Sequence, residues 1–291
     1  MKKYGNCWKI VFEPINEGNE LLDSFMETFF DVVTIDYVRG NKFQYVGYTS
    51  TQPDEDLMKK SACECGVELP SYKKEFLPAE NWLAKNVIKF PPLETEDFYI
   101  YGVHEEKVAK NNKLNLRIYA ATAFGSGQHK TTQLCLKLIA YLYHNGTVAE
   151  NVLDMGCGSG ILAMAACKLW TKLKALAVDI DAEAVIVTNQ NAKDNQLDNQ
   201  IIALESNGFA NDRIVQNAPY DMVFANILAR PLIEMANDLA NRLKNGGFAI
   251  LSGFIEDQVP WVLDEYEKCG LKPLKILNDE NWYAILLEKV K

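Results

Sequence analysis

The segment Val152-Leu153-Asp154-Met155-Gly156-Cys157-Gly158-Ser159-Gly160 places three glycines at alternate positions behind a short apolar run. An acidic residue, Asp179, follows nineteen residues after the last glycine. Small residues at such a turn let the backbone pass close to a ligand, because a Cβ would fill the space the ligand needs. A carboxylate closing the next strand can accept hydrogen bonds from both hydroxyls of a ribose. The chemistry expected of this set is the grip on a nucleoside-containing cofactor. A glycine-tightened structural turn is the plainer alternative, and the acidic pair Asp154 and Asp179 argues against it.

Spacing narrows the cofactor. Dinucleotide-binding turns read Gly-x-Gly-x-x-Gly, so that a pyrophosphate can rest on the helix N-terminus. Here Gly156-x-Gly158-x-Gly160 is one residue shorter, and Asp154 stands two positions ahead of it. A carboxylate would repel a pyrophosphate but can hold the amino group of an amino-acid moiety. Both differences favour S-adenosylmethionine over NAD, with Gly156, Gly158, Asp154 and Asp179 as expected contacts.

Two further segments carry candidates. In Thr122-Ala123-Phe124-Gly125-Ser126-Gly127-Gln128-His129-Lys130-Thr131-Thr132, Gly125 and Gly127 would let a loop close over a ligand. Thr131 or Thr132 could cap the following helix while offering a hydroxyl to the cofactor. His129 is a candidate acid/base or substrate contact, although most single loop histidines are neither. The other segment is Asp221-Met222-Val223-Phe224-Ala225-Asn226, a hydrophobic strand ending in an amide at the sheet's carboxyl edge, where ligands bind in α/β sheets. Asn226 can orient an incoming amine beside a reactive methyl, and Phe124 and His129 are further candidates for positioning it. An N-cap role for Asn226 is weaker, because Pro231 sits nearer the helix start.

The elements that must hold these residues are legible in the pattern. From Leu114 onward, strands Asn151–Met155, Ala175–Asp179, Ile201–Glu205, Met222–Ala225 and Phe248–Ser252 alternate with helices Gly160–Leu169, Ala182–Asn195 and Pro231–Leu243, after a first helix Thr131–Tyr143. That alternation predicts a Rossmann-like, doubly wound α/β domain with a mainly parallel sheet and helices on both faces. Leu274–Asn278 and Trp282–Glu288 are expected to pair as antiparallel strands at one edge. Upstream, strand, helix, hairpin and helix over residues 7–65 give the order of a small ferredoxin-like α+β module. The expected boundaries are 1–74 for that module, 75–110 for a linker helix and connecting segment, and 111–291 for the cofactor domain.

Composition excludes several classes. The 291 residues are 48% apolar and 24% charged, with a formal charge of −9. An acidic balance argues against a direct nucleic-acid binder, which needs clustered Lys and Arg, and is compatible with a basic protein partner. Seven cysteines lie scattered, and Cys63-Glu64-Cys65 is too tight for a zinc pair, so no metal is expected. With no apolar stretch behind Lys2 and Lys3 and no run of the ~20 residues that span a bilayer, a cytoplasmic protein without membrane association is expected. Oligomeric state is not encoded legibly.

Taken together, Ala123–Thr132, Asp154–Leu162 and Ala225-Asn226-Ile227-Leu228 resemble the ribosomal protein L-eleven methyltransferase family, PrmA. Leu251-Ser252-Gly253-Phe254 and Trp282 also resemble family positions. The family's loop reads Ala-Phe-Gly-Thr-Gly-x-His-x-Thr-Thr and its turn Asp-x-Gly-Cys-Gly-Ser-Gly-Ile-Leu. The resemblance covers most of residues 115–291 and implies cofactor contacts at Thr132, Gly156, Asp179 and Asn226. It also implies methyl transfer to lysine ε-amines, and an α-amine, of a ribosomal protein. Two departures stand out: Tyr119-Ala120-Ala121-Thr122 where the family carries Asp-Pro-Gly, and Ser126 for its threonine. A release-factor glutamine methyltransferase would show Asn-Pro-Pro-Tyr after the fourth strand, and Asn226-Ile227-Leu228-Ala229 lacks both prolines. Another protein amine, or a non-catalytic protein with a vestigial pocket, are the remaining alternatives.

Overall fold

Alternation along Cys7–Phe12 puts Trp8, Ile10 and Phe12 on one face of strand β1, with Ile10 and Phe12 fully buried. The computed structural model describes residues 7–16, 20–38, 42–77, 90–105, 112–119 and 129–290. The chain divides into two units, Met1–Lys85 and Asn86–Lys291. In the first, β1 is followed by α1 (Glu20–Phe29), β2 (Val32–Val38), β3 (Lys42–Thr49), α2 (Glu55–Glu64) and β4 (Tyr72–Leu77). The sheet runs β2-β3-β1-β4 and is antiparallel throughout, which is the ferredoxin-like arrangement. Leu22, Phe25 and Met26 of α1 and Met58 and Ala62 of α2 pack on Ile10, Phe12 and Tyr45. Asp54 caps α2 by accepting from the backbone N–H of Asp56 and Leu57, one of the strongest local start signals for a helix.

The boundary expected at residue 74 falls inside β4. Tyr72-Lys73-Lys74-Glu75-Phe76-Leu77 is too charged to read as a strand, yet it pairs with β1 over all six residues. Phe76 lies against Trp8, ring centroids 4.9 Å apart. The linker helix expected within 75–110, which the sequence places over Phe76–Asn86, is thus a strand at its first two residues, and the rest of it lies outside the described residues. Within the segment expected as a connector to residue 110, the strand that the sequence predicts over Phe98–Val103 is β6 (Phe98–Gly102), and the two-residue strand β5 (Leu93–Glu94) precedes it. These form a small sheet, β5-β6-β7, with β7 (Leu114–Ile118). Phe98, Ile100, Leu116 and Ile118 are buried in the same apolar cluster as the second unit's helices, so this sheet belongs to that unit.

The large sheet of the second unit follows the sequence pattern closely. In chain order come α3 (Lys130–His144), β8 (Asn151–Met155), α4 (Ile161–Leu169), β9 (Lys174–Asp179), α5 (Ala182–Asp194), β10 (Ile201–Glu205), α6 (Asp212–Asn217) and β11 (Tyr220–Asn226). They are followed by α7 (Ala229–Glu234), α8 (Ala236–Arg242), β12 (Leu243–Ile255), α9 (Val259–Lys268), β13 (Leu271–Asp279) and β14 (Trp282–Lys289). The strand order is β10-β9-β8-β11-β12-β14-β13, and β14 runs antiparallel to both neighbours. Side chains alternate between two cores. Met222, Phe224 and Ile250 meet α3, α4 and α5, while Val223, Ala225 and Leu251 meet α6 to α9. Strands buried on both faces read as continuous apolar runs, which is why they were visible in sequence.

Two helical details differ from expectation. The helix expected over Pro231–Leu243 is two, broken at Met235. Neither the short helix α6 nor the amphipathic helix α9, with Val262 and Tyr266 buried, is among the expected helices. Among the described residues no helix is long and apolar enough to cross a membrane. The seven cysteines are free.

Candidate functional site

Chain reversal between β8 and β9 on one side and β11 on the other opens a crevice at the carboxyl edge of the sheet, the place where open α/β sheets hold ligands. A cavity of about 1040 Å³ occupies it. Its walls come from the ends of successive strands: Met155 and Gly156 after β8, Asp179 and Ile180 after β9, Ser206 to Phe209 after β10, Asn226 to Leu228 after β11, and Gly253 near the end of β12. His129, Thr131 and Trp282 complete one end, and Met235, Asp238 and Arg242 the other.

The glycine turn is held by its neighbours. The N–H groups of Gly156 and Cys157 both donate to the Val178 carbonyl, at 2.8 and 3.0 Å. Gly156 has φ +69°, and a Cβ there would lie 2.3 Å from Cγ2 of Ile227. The absence of a side chain therefore makes room for Ile227 as well as for a ligand. On the other side Thr188 of α5, fully buried, donates to the Gly158 carbonyl at 2.9 Å and contacts the Cys157 thiol.

Asp179 ties this turn to the next strand. One carboxylate oxygen accepts from the Gly158 N–H at 2.9 Å and the other from the Asp181 N–H at 3.0 Å. An ionised carboxylate has about four acceptor positions, so both oxygens retain capacity toward the cavity. Ile180 beside it is 68% exposed and lines the same wall.

Asn226 ends β11 with its side-chain N–H₂ donating to the Thr132 hydroxyl at 3.3 Å. That bond fixes which way the amide faces, with its nitrogen turned to Thr132. Thr132, expected at a cofactor, is buried behind Asn226 and does not line the cavity; Thr131 does. Neither threonine caps α3. That role falls to His129, which has extended backbone and whose Nδ1 accepts the Thr131 N–H, with the Thr131 hydroxyl 2.7 Å from the same nitrogen. The imidazole also packs edge-on against Trp282 at 4.6 Å between centroids. Lys130 forms an ion pair with Asp279 in the β13–β14 corner, which holds the start of α3 against Trp282. Phe124 and Gly127 lie outside the described residues.

Asp154 corrects the sequence reading. It is 1% exposed, absent from the cavity wall, and accepts the Ala163 N–H at 3.0 Å in the first turn of α4. Gly160, the N-cap of that helix, has no side chain to do so. The carboxylate is therefore a helix cap from beneath rather than a ligand contact. Burial, with Asp179 nearby, pushes its pKa from 3.8 up to about 7. The folded chain then binds this proton more tightly than the unfolded chain. The contribution to stability is complete below about pH 4, falls as pH rises toward 7, and is gone above it. A shift of that size is worth up to about 4 kcal/mol. Asp154→Asn keeps an acceptor for Ala163 and cannot ionise. Its melting temperature relative to the native chain should climb by several degrees from pH 5 to pH 8; a flat difference would refute the buried charge.

Sequence reasoning missed the amides of α5. Asn191, fully buried, donates to the carbonyls of Tyr119 and Ser159 and accepts the Tyr119 N–H at 2.7 Å. Asn195 treats Arg117 likewise. Two side chains one helical turn apart thus satisfy the free edge of β7 as a strand would, and join it to the glycine turn. Asparagines four apart, facing a helix's apolar side, were the available signal. Ser206-Asn207-Gly208 after β10 was another, as a polar turn at the sheet's ligand edge.

Comparison with known proteins gives a consistent result. The family model described as ribosomal protein L11 methyltransferase (PrmA) matches residues 27–290. A ribosomal protein L11 methyltransferase of Bradyrhizobium diazoefficiens is 37% identical over 73% of this chain and 71% of its own. One from Rhizobium meliloti is 36% identical over 83% of each. A crystal structure of a ribosomal protein L11 methylase from Lactobacillus delbrueckii subsp. bulgaricus superposes with a TM-score of 0.61 at 25% identity, covering 69% of this chain and all of that one. On the strength of the matched length and identity, the chain belongs to the ribosomal protein L11 methyltransferase family.

Proposed function

We propose that the chain transfers methyl groups from S-adenosylmethionine to lysine ε-amines, and to an N-terminal α-amine, of ribosomal protein L11 in the cytoplasm. The observation that carries this reading is one cavity whose wall includes both Asp179 and Asn226. The residues fit the donor: a carboxylate with acceptor capacity left for ribose hydroxyls, exposed Ile180 as an apolar surface for a base, and a turn without side chains at Gly156. Gly158 holds Asp179 in place, and Gly127 and Phe124 are carried as sequence-based contacts. When bound, the donor supplies an electrophilic methyl on a sulfonium.

The protein's part is alignment and desolvation. Lysine has a reference pKa of ~10.4, so the reacting amine must be neutral when it is aligned, and an apolar surround favours that form. The carbonyl oxygen of Asn226 accepts one amine N–H and turns the nitrogen lone pair away from it. Trp282 and His129 flank the same end, an aromatic surface against which an aliphatic lysine stem can lie. His129 Nδ1 is committed to Thr131, so no residue here is required as a general base, and positioning carries most of the catalysis. The formal charge of −9 favours encounter with a basic substrate.

Incubation of the chain with methyl-labelled S-adenosylmethionine and ribosomal protein L11 should label L11, and hydrolysis should release methylated lysine. Label on another protein of an L11-containing lysate would reassign the substrate. No label on any protein would overturn methyl transfer itself.

A further inference from the structure

β12 and β14 pair in register from Phe248↔Glu288 to Ser252↔Ala284, and then resume at Phe254↔Tyr283. Gly253 is the extra residue, a β-bulge. It has two consequences. Ser252 shares a pair with Ala284, whose side chain faces the α3 core. Phe254, two residues on, belongs instead to the core beneath α9. The bulge reverses the facing of the strand just where it meets the cavity. It also presses the β12 backbone onto the residue after Asn226. Gly253 has φ +98°, and a Cβ there would lie 2.1 Å from the Ile227 carbonyl oxygen, 2.6 Å from its carbon and 2.9 Å from its nitrogen. The Ile227 N–H donates to the Ser252 carbonyl at 3.1 Å.

Ile227 is therefore held from both sides by glycines. Gly253 meets its backbone, and Gly156 meets its Cγ2. We infer that Gly253 is a positioning residue: its missing side chain lets β12 close on the Ile227 backbone and thereby fixes the Asn226 amide at the methyl-acceptor end of the cavity. This rests on the methyl-transfer reading above. The two glycines differ in what a methyl group would strike. At Gly156 it strikes the end of a side chain, which truncation can remove; at Gly253 it strikes main chain, which no substitution at Ile227 can remove.

That difference gives the test. Gly253→Ala should lower kcat for L11 methylation at least tenfold, leave S-adenosylhomocysteine affinity by calorimetry within about threefold, and speed hydrogen exchange at the Ile227 amide. Ile227→Ala should restore much of the activity lost in Gly156→Ala and none of that lost in Gly253→Ala. Should Gly253→Ala not fold, Ser252→Ala loosens the same bulge by removing the hydroxyl's 2.7 Å bond to the Tyr283 carbonyl. Its kcat should then fall severalfold with product affinity held. Native kcat in Gly253→Ala, or in Ser252→Ala where that is the variant that folds, or rescue of Gly253→Ala by Ile227→Ala, would overturn the inference. A native chain inactive on every protein would overturn the methyl-transfer reading instead.

Discussion

Asp179→Ala should weaken S-adenosylmethionine binding by on the order of 100-fold or more and abolish methylation at ordinary donor concentrations. The carboxylate does two things at once. It accepts the backbone N–H groups of Gly158 and Asp181, which sets the glycine turn, and it faces the cavity with acceptor capacity to spare. Hydrogen bonds to a charged group contribute roughly 1.5–3 kcal/mol each, and two to a ribose account for the expected loss. Structural damage should be smaller. The turn keeps its two bonds to the Val178 carbonyl and the Thr188 clamp, so the far-UV circular dichroism should match the native chain. Asp179→Asn preserves shape but turns an N–H₂ group toward either Gly158 or Asp181, and should bind the donor nearly as poorly. Calorimetry decides the matter: native affinity in either variant would remove Asp179 from the site.

How much of this was readable beforehand depends on where each residue's constraint lies. Strand β8 matched to the residue because both its faces are buried, and β10, whose Ile202 and Glu205 are exposed, because its apolar run Ile201–Leu204 ends in a glutamate. Asp179 and Asn226 were visible because each is a polar residue ending such a run. β4 was hidden because its alternation is lysine and glutamate beside aromatics, and pairing with β1 outweighs its weak intrinsic preference. Asp154 was misassigned for a physical reason: a carboxylate near a ligand-binding turn can serve either ligand or helix, and only burial separates the two. The roles of Asn191 and Asn195 arise from contacts 72 and 78 residues away in sequence. The bulge at Gly253 arises from register with β14. The spacing of the two asparagines is a local pattern, but neither their distant partners nor the strand register is.

Asn226→Ala is expected to reduce kcat about 100-fold while S-adenosylhomocysteine still binds. A misplacement of about 1 Å between reacting atoms is enough for a loss of that size, and the alanine leaves the amine no acceptor to turn against. The Asp variant separates acceptor from shape. In Asn226→Asp an oxygen still faces the amine, and the Thr132 hydroxyl, 3.3 Å from the native amide nitrogen, can donate to the other oxygen. The geometry survives, but a carboxylate favours the ammonium form of lysine and raises its pKa. Because only the neutral amine reacts, the rise of kcat with pH should move to higher pH. Asn226→Asp should therefore be poor at pH 7 and recover most of its deficit by about pH 9.5, whereas Asn226→Ala should stay low across the range. Parallel pH profiles for the two variants would mean that Asn226 does not face the acceptor, and native kcat in Asn226→Ala would mean that the amine is held elsewhere in the cavity.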